Sequence, residues 1–92
     1  MKIKETVSEA VLLKSIGHPV RLDIVKVLLQ EESCVKNIWG CLDIPQATVS
    51  QHLAVLRSRG IVAAQRNGAT VWYSVKDSRV AGIIAALKGG SQ

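Results

Sequence analysis

Asn67-Gly68 lies between two runs rich in β-prone residues, Ile61 to Arg66 and Ala69 to Val75. Asn-Gly in that setting is the strongest short-range signal of a β-hairpin, because both residues tolerate the positive φ of tight hairpin turns. The chain before it is patterned differently. Up to Arg59 its apolar residues recur at the three- and four-residue spacing of helices, and the period changes at Gly60. With 92 residues the chain has room for one domain. The expectation is therefore a small, mainly helical domain (1–92) carrying one hairpin.

The helices read as follows. Residues 5–16 place Val7, Ala10 and Val11 at helical spacing, with Leu12, Leu13 and Ile16 widening the apolar side, and Gly17 ends the run. Pro19 then suits the first position of a second helix, where its missing N–H is no loss, and His18 before it reads as an N-cap or turn residue. Leu22, Val25, Leu28 and Leu29 continue that helix. Glu31-Glu32-Ser33 breaks the pattern, with Ser33 a candidate cap. A short helix follows, about 34–42, with Val35, Ile38, Trp39 and Leu42 on one side. Asp43-Ile44-Pro45 makes a tight connection to a helix over about 46–59. There Val49, Leu53 and Leu56 fall within about a 60° arc at 100° per residue, and Gly60 stops the helix as a C′ glycine. After the hairpin, Asp77 or Ser78 caps a last helix, about 77–88, with Val80, Ile83, Ile84 and Leu87 as its stripe, and Gly89-Gly90 closes it.

A short helix joined by a three- to four-residue turn to a second helix is a helix-turn-helix, whose second helix enters the major groove of DNA. The outward side of residues 46–58 supports this. Opposite the apolar arc lie Ala47, Ser50, Gln51, Ala54 and Ser58, and no acidic residue occurs from Gln46 to Arg59. A merely solvated face usually carries Glu and Lys. Small residues let a backbone approach base edges, Gln bonds adenine through two contacts, and Ser serves several bases. Gln46 and Thr48 stand in the first turn, where side chains and open N–H groups hold phosphate. Arg57 and Arg59 are placed for backbone phosphates, and Arg66 at the hairpin tip for a minor groove or phosphate. His52 lies beside the apolar arc, suited either to packing or to a DNA contact.

Charge points the same way. The net charge is +5, and it is uneven. Residues 1–35 hold five basic and five acidic residues, whereas 36–92 hold seven basic residues against Asp43 and Asp77. Such asymmetry is expected where one segment faces a polyanion, although a solubilising surface gives the same sum. The chain is 48% hydrophobic and has three aromatic residues, Trp39, Trp72 and Tyr73. Its core must be built from Leu, Ile, Val and Ala, with the two tryptophans at core or inter-helix positions. The apolar excess suggests a face covered by a second copy. The sequence carries no signal peptide or membrane-length apolar run, so the expected compartment is the cytoplasm, with no membrane partner. No nucleophile–base pair, carboxylate pair or phosphate loop suggests an enzyme.

The chain resembles the ArsR/SmtB family of repressors. The resemblance is carried by His18 to Val25, by Leu42 to Leu53, by Gly60-Ile61-Val62, by Arg66-Asn67-Gly68 and by Tyr73-Ser74-Val75. It implies a winged helix-turn-helix (α-α-α-α-β-β-α) with the motif at about 35–59 and the wing at about 61–75. It also implies a homodimer joined by helices 5–16 and 77–88, a double-stranded operator of imperfect palindromic form, and repression relieved by an effector. The other reading of such a module is a protein–protein or RNA contact without operator specificity.

The sensing positions depart from the family pattern. Arsenic and cadmium sensors carry two cysteines one residue apart at the start of the third helix. Here Cys34 is followed by Val35-Lys36, and lysine adds charge where a cation needs a ligand. Zinc sensors use Asp and His, then His and Glu, in the last helix; Asp77 matches, but Arg79 replaces the His and no His or Glu follows. No metal and no cofactor is expected. The sulfide-responsive pattern is missing too, with Lys26 at its first cysteine. Cys34 and Cys41 remain as candidate redox thiols. If both are helical they share a face about 10.5 Å apart, too far for a disulfide. Cys41 near the hydrophobic seam reads as a small core residue.

Overall fold

The computed structural model describes residues 3–30 and 33–89, with the side chains of 33–36 not included. The expected break at Glu31-Glu32, the Ser33 cap, the Cys34 thiol, the Lys36 side chain and Gly90 lie outside what is described. The chain runs α1 (Ile3–Ile16), α2 (Pro19–Gln30), β1 (Ser33–Cys34), α3 (Val35–Leu42), α4 (Gln46–Ser58), β2 (Val62–Asn67), β3 (Thr70–Val75) and α5 (Arg79–Gly89). The described residues form a winged helix-turn-helix: five helices and an antiparallel hairpin edged by β1.

Local chemistry sets the joints. The His18 carbonyl accepts the Leu22 N–H at 2.8 Å, and its Nδ1 accepts the Val20 N–H at 3.1 Å, so His18 caps α2. Asp43, at φ +54°, ends α3 in the left-handed region. The Ile44 N–H then donates to the Trp39 carbonyl at 3.4 Å, the 6→1 bond of a Schellman motif. Gly60 repeats this after α4 with φ +74°, and the Ile61 N–H reaches the Leu56 carbonyl at 3.0 Å. Leu56 and Ile61 are both buried, the apolar contact that accompanies the motif. Asp77 Oδ1 accepts the Arg79 N–H at 3.0 Å and serves as the cap of α5.

Gly17 is needed for space rather than conformation. A Cβ there would sit 2.9 Å from the Leu13 carbonyl oxygen, a backbone atom that cannot move aside cheaply. Gly17→Ala is expected to destabilise the fold by about 1–3 kcal/mol, read as a lower urea midpoint at unchanged slope.

The hairpin corrects the expected turn by one residue. Asn67 pairs with Thr70, so the central pair of the turn is Gly68-Ala69, not Asn67-Gly68. Gly68 has φ +66°, whereas neither Asn67 nor Ala69 has positive φ. One positive-φ glycine in the first central position is the II′ pattern, which does not draw on the left-handed tolerance of Asn. A second difference is β1. Ser33 and Cys34 pair with Tyr73 and Trp72 as an edge strand, giving the order β1-β3-β2. Helix α3 therefore starts at Val35 rather than Cys34, and backbone that would leave one edge of β3 unpaired is hydrogen-bonded instead.

The core gathers Leu12 and Ile16 from α1, Ile24, Val25 and Leu28 from α2, Ile38 from α3, and Val49, Leu53 and Leu56 from α4. Ile61, Val62, Val80 and Ile84 complete it. No aromatic residue is fully buried among them; Trp39 and Tyr73 pack partly exposed on its outside. Trp72 is half-buried but not packed on this cluster. Strand alternation puts it on the other face of β3 from Val71, Tyr73 and Val75, which corrects the expectation of a core position.

Candidate nucleic-acid interface

Helix α4 turns Val49, Leu53 and Leu56 fully inward. Its opposite side therefore faces out: Gln46, Ala47, Ser50, Gln51, Ala54, Arg57 and Ser58 are exposed, and Thr48 is half-buried. Pro45 precedes the helix with ψ 139°, and no side chain caps it. The Thr48 and Val49 N–H groups donate to the Pro45 carbonyl at 3.0 and 3.2 Å. The N–H groups ahead of them, on Gln46 and Ala47, have no carbonyl within the helix to reach. An uncapped N-terminus pairs naturally with phosphate, through both the open donors and the helix dipole.

Arg57 is exposed in the last turn of α4, and Arg66 is exposed on β2 opposite Val71, one pair in from the last ladder pair before the turn. Along β2 exposure rises from Val62 to Asn67, so the tip stands clear of the core. Arg57, Arg66 and the helix N-terminus thus belong to one chain segment pair, α4 and the wing, with no acidic residue in either.

Arg59, placed by its position near the phosphate-contacting end of the motif, is held elsewhere. Its Nη1 donates to Ser15 Oγ of α1 at 3.1 Å. Arg79 is bound to Asp77, with its Nη2 2.7 Å from Oδ2. Those hydrogen bonds hold the Asp77 carboxyl below its ordinary range. Ser15 is buried on α1 beside Leu12 and Ile16, and a serine at that inward position is the sequence trace of the Arg59 contact.

His52 is half-buried, with its ring centroid 4.4 Å from that of His18 and the planes tilted by 40°. It therefore lies where α4 meets the start of α2. Its Nδ1 is buried with no hydrogen-bond partner among the described residues. Burial, and after it the neighbouring His18 and Arg21, push the His52 imidazole below its ordinary pKa of 6.5. The folded protein thus prefers neutral His52, while the unfolded chain takes up its proton near 6.5. Stability contributed by neutral His52 is complete above that pH and is lost as pH falls through the depressed folded value. Urea melts at pH 7.5 and pH 5.5 are expected to show a lower midpoint in acid, with a smaller difference in His52→Gln.

The cysteines do not share a helix face. Cys34 is in β1, and Cys41 is exposed on α3 rather than packed in the seam, because Ile38 and Leu42 take the inward positions. Among the described residues no group of three or more His, Cys, Asp or Glu side chains could hold a metal ion, and no helix is long and apolar enough to cross a membrane.

Residues 18–64, half of the chain and the whole helix-turn-helix, match the family profile described as "Bacterial regulatory protein, arsR family". The biofilm growth-associated repressor of Agrobacterium fabrum is 39% identical over 84 residues, covering 91% of this chain and 72% of that protein. The transcriptional repressor PagR of Bacillus anthracis is 40% identical over 80 residues, covering 86% and 80%. The PagR crystal structure superposes with a TM-score of 0.84 over 94% of this chain and 99% of that one, at 36% identity. HlyU from Vibrio cholerae N16961, a protein named as a transcriptional activator, superposes with a TM-score of 0.88 at 33% identity over 96% of each chain. These relatives favour DNA as the partner over a protein–protein or RNA module. The chain belongs to the arsR family of bacterial regulatory proteins and is a DNA-binding transcriptional regulator, not an enzyme.

Proposed function

We propose that the chain is a homodimeric repressor that occupies an imperfect palindromic operator. The observation that carries this is the exposed, acid-free side of α4, with an uncapped N-terminus at one end and Arg57 at the other. In this reading Ala47, Ser50 and Gln51 approach base edges, Gln46 and Thr48 hold phosphate at the helix start, and Arg57 and Arg66 contact flanking phosphates. His52 supports α4 from behind, against His18. Residues 1–92 act as one unit, with the motif at about 35–59 and the wing at about 61–75.

The dimer is supported by apolar side chains that the subunit itself leaves uncovered. Ile3, Val7 and Val11, four residues apart along α1, are 72%, 54% and 41% exposed, and Leu87 of α5 is 54% exposed. Ile3, Val7 and Val11 lie on the side of α1 away from buried Leu12 and Ile16. A second copy covering both helices would bury this stripe and set two α4 helices about 34 Å apart, one turn of DNA. Repression follows from occupying a promoter. Relief follows from an effector, or from oxidation at Cys41, that changes the spacing; an unaltered oxidant response in Cys41→Ser would assign relief elsewhere.

The test joins sedimentation velocity with anisotropy titrations of duplexes selected from genomic fragments. A dimer is expected, with affinity falling steeply as salt rises. Arg66→Ala is expected to reduce the salt slope by about one per subunit while weakening all sequences alike. Absence of salt-dependent binding to any duplex rules the reading out.

A further inference from the structure

A cavity of about 200 Å³ opens between α1, the C-terminal end of α4 and the start of α5, away from the exposed side of α4. Val11, Leu12 and Ile61 give it apolar walls, and Ser8 and Arg59 are its polar residues beside the Asp77–Arg79 pair. Two features separate Arg59 from an ordinary surface arginine. The first is its tether. Its Nη1 bonds Ser15 Oγ at 3.1 Å, and the buried Ser15 hydroxyl in turn donates to the Val11 carbonyl at 2.6 Å. The guanidinium is thereby held by a hydroxyl whose own direction is fixed. The second is its spare capacity. A guanidinium has five donors in a planar fork, and among the described residues Nη1 alone is engaged, by the tether. The Nε–Nη2 edge is left, the edge that grips a carboxylate through two parallel bonds.

Asp77 does not supply that carboxylate. Its Oδ1 accepts from the Arg79 N–H and Nε, both at 3.0 Å, and its Oδ2 from Arg79 Nη2 at 2.7 Å. The cavity is therefore lined by one tethered guanidinium that is not bound to Asp77, that of exposed Arg59, beside an apolar wall. Its volume lies below the roughly 300–1,000 Å³ of pockets for drug-sized ligands, which suits a small molecule.

We propose that this cavity is an effector site for a small aliphatic monocarboxylate, its carboxylate on Arg59 and its tail against Val11, Leu12 and Ile61. Arg59 ends α4 and Ser15 belongs to α1, so the ligand sits at the joint between the DNA-reading helix and the helix assigned to the dimer. The effector role rests on the DNA-binding reading; the ligand site does not.

The test is a ¹H–¹⁵N correlation titration of the full chain, without DNA, using sodium acetate, sodium butyrate and sodium phosphate at constant ionic strength. Saturable shifts centred on Ser8, Leu12, Arg59 and Ile61 are expected with butyrate. Affinity should rise up to about fourfold per added methylene from acetate to butyrate. Arg59→Gln should weaken butyrate at least about tenfold, and Arg59→Lys, which keeps the charge but not the fork, should fall between. The unshifted remainder of each spectrum reports that the variant is folded. No saturable shift, equal affinity for acetate and butyrate, phosphate binding as well as butyrate, or full binding by Arg59→Lys overturns the site. A DNA titration with and without butyrate is read separately: unchanged operator affinity with the site filled overturns the effector role alone.

Discussion

Ser50→Glu is expected to weaken DNA binding by about 2–6 kcal/mol per dimer, at least about 30-fold, with the fold intact. Ser50 is exposed on the middle of α4, opposite the buried Val49, Leu53 and Leu56. A substitution there costs stability within about ±0.5 kcal/mol, and glutamate is a better helix former than serine. What changes is the face proposed to meet DNA. A carboxylate enters a surface that carries no acidic residue from Gln46 to Arg59, meets the phosphate field, and must shed water to approach a base edge. Two copies enter in the proposed dimer. Anisotropy titration gives the affinity and circular dichroism the fold; a Ser50→Glu protein binding within threefold of the parent would remove α4 from the interface. Ser50→Ala is the control, since it keeps the face small and uncharged.

Leu53→Ala is expected to destabilise the protein by about 3–5 kcal/mol. Leu53 is 1% exposed and sits between Val49 and Leu56 at the centre of the core. Truncation removes its transfer free energy and leaves a cavity that rigid neighbours fill only in part. A domain of this size has about 5–15 kcal/mol in total, so the variant stands near its melting threshold at 37 °C. Urea denaturation checks this. A loss below 1 kcal/mol would mean that α4 is not seated on this core. The two substitutions are three residues apart on one helix and separate its two sides: one holds the helix in the domain, the other is the side proposed to meet DNA.

The inward side of α4 was legible because Val49, Leu53 and Leu56 repeat at the helical period, and burial follows that period wherever one element packs on one core. The caps at His18 and Gly60 were legible for the same local reason: a backbone group needs a partner within a few residues. The hairpin was legible in kind but not in register. Gly68 and Asn67 both suit a turn, and the ladder, which pairs Asn67 with Thr70, chose the single positive-φ position. Strand β1 had no signal of its own, since two residues carry no periodicity. It exists because β3 offers an edge.

Asn67-Gly68 and the helical period together fixed the class of this protein: short helices, one hairpin, and an outward face on α4 free of acidic residues. Those are properties of neighbours in sequence. Tertiary structure alone decided which charges remain free. Arg57, Arg59 and Arg66 are equal as letters, yet Arg59 is held by Ser15, 44 positions away. It likewise decided that Ile3, Val7 and Val11 stay uncovered while Leu12 and Ile16 of the same helix are buried. A helix with apolar residues around most of its girth can seat either side, and only the shape of the core it meets selects one.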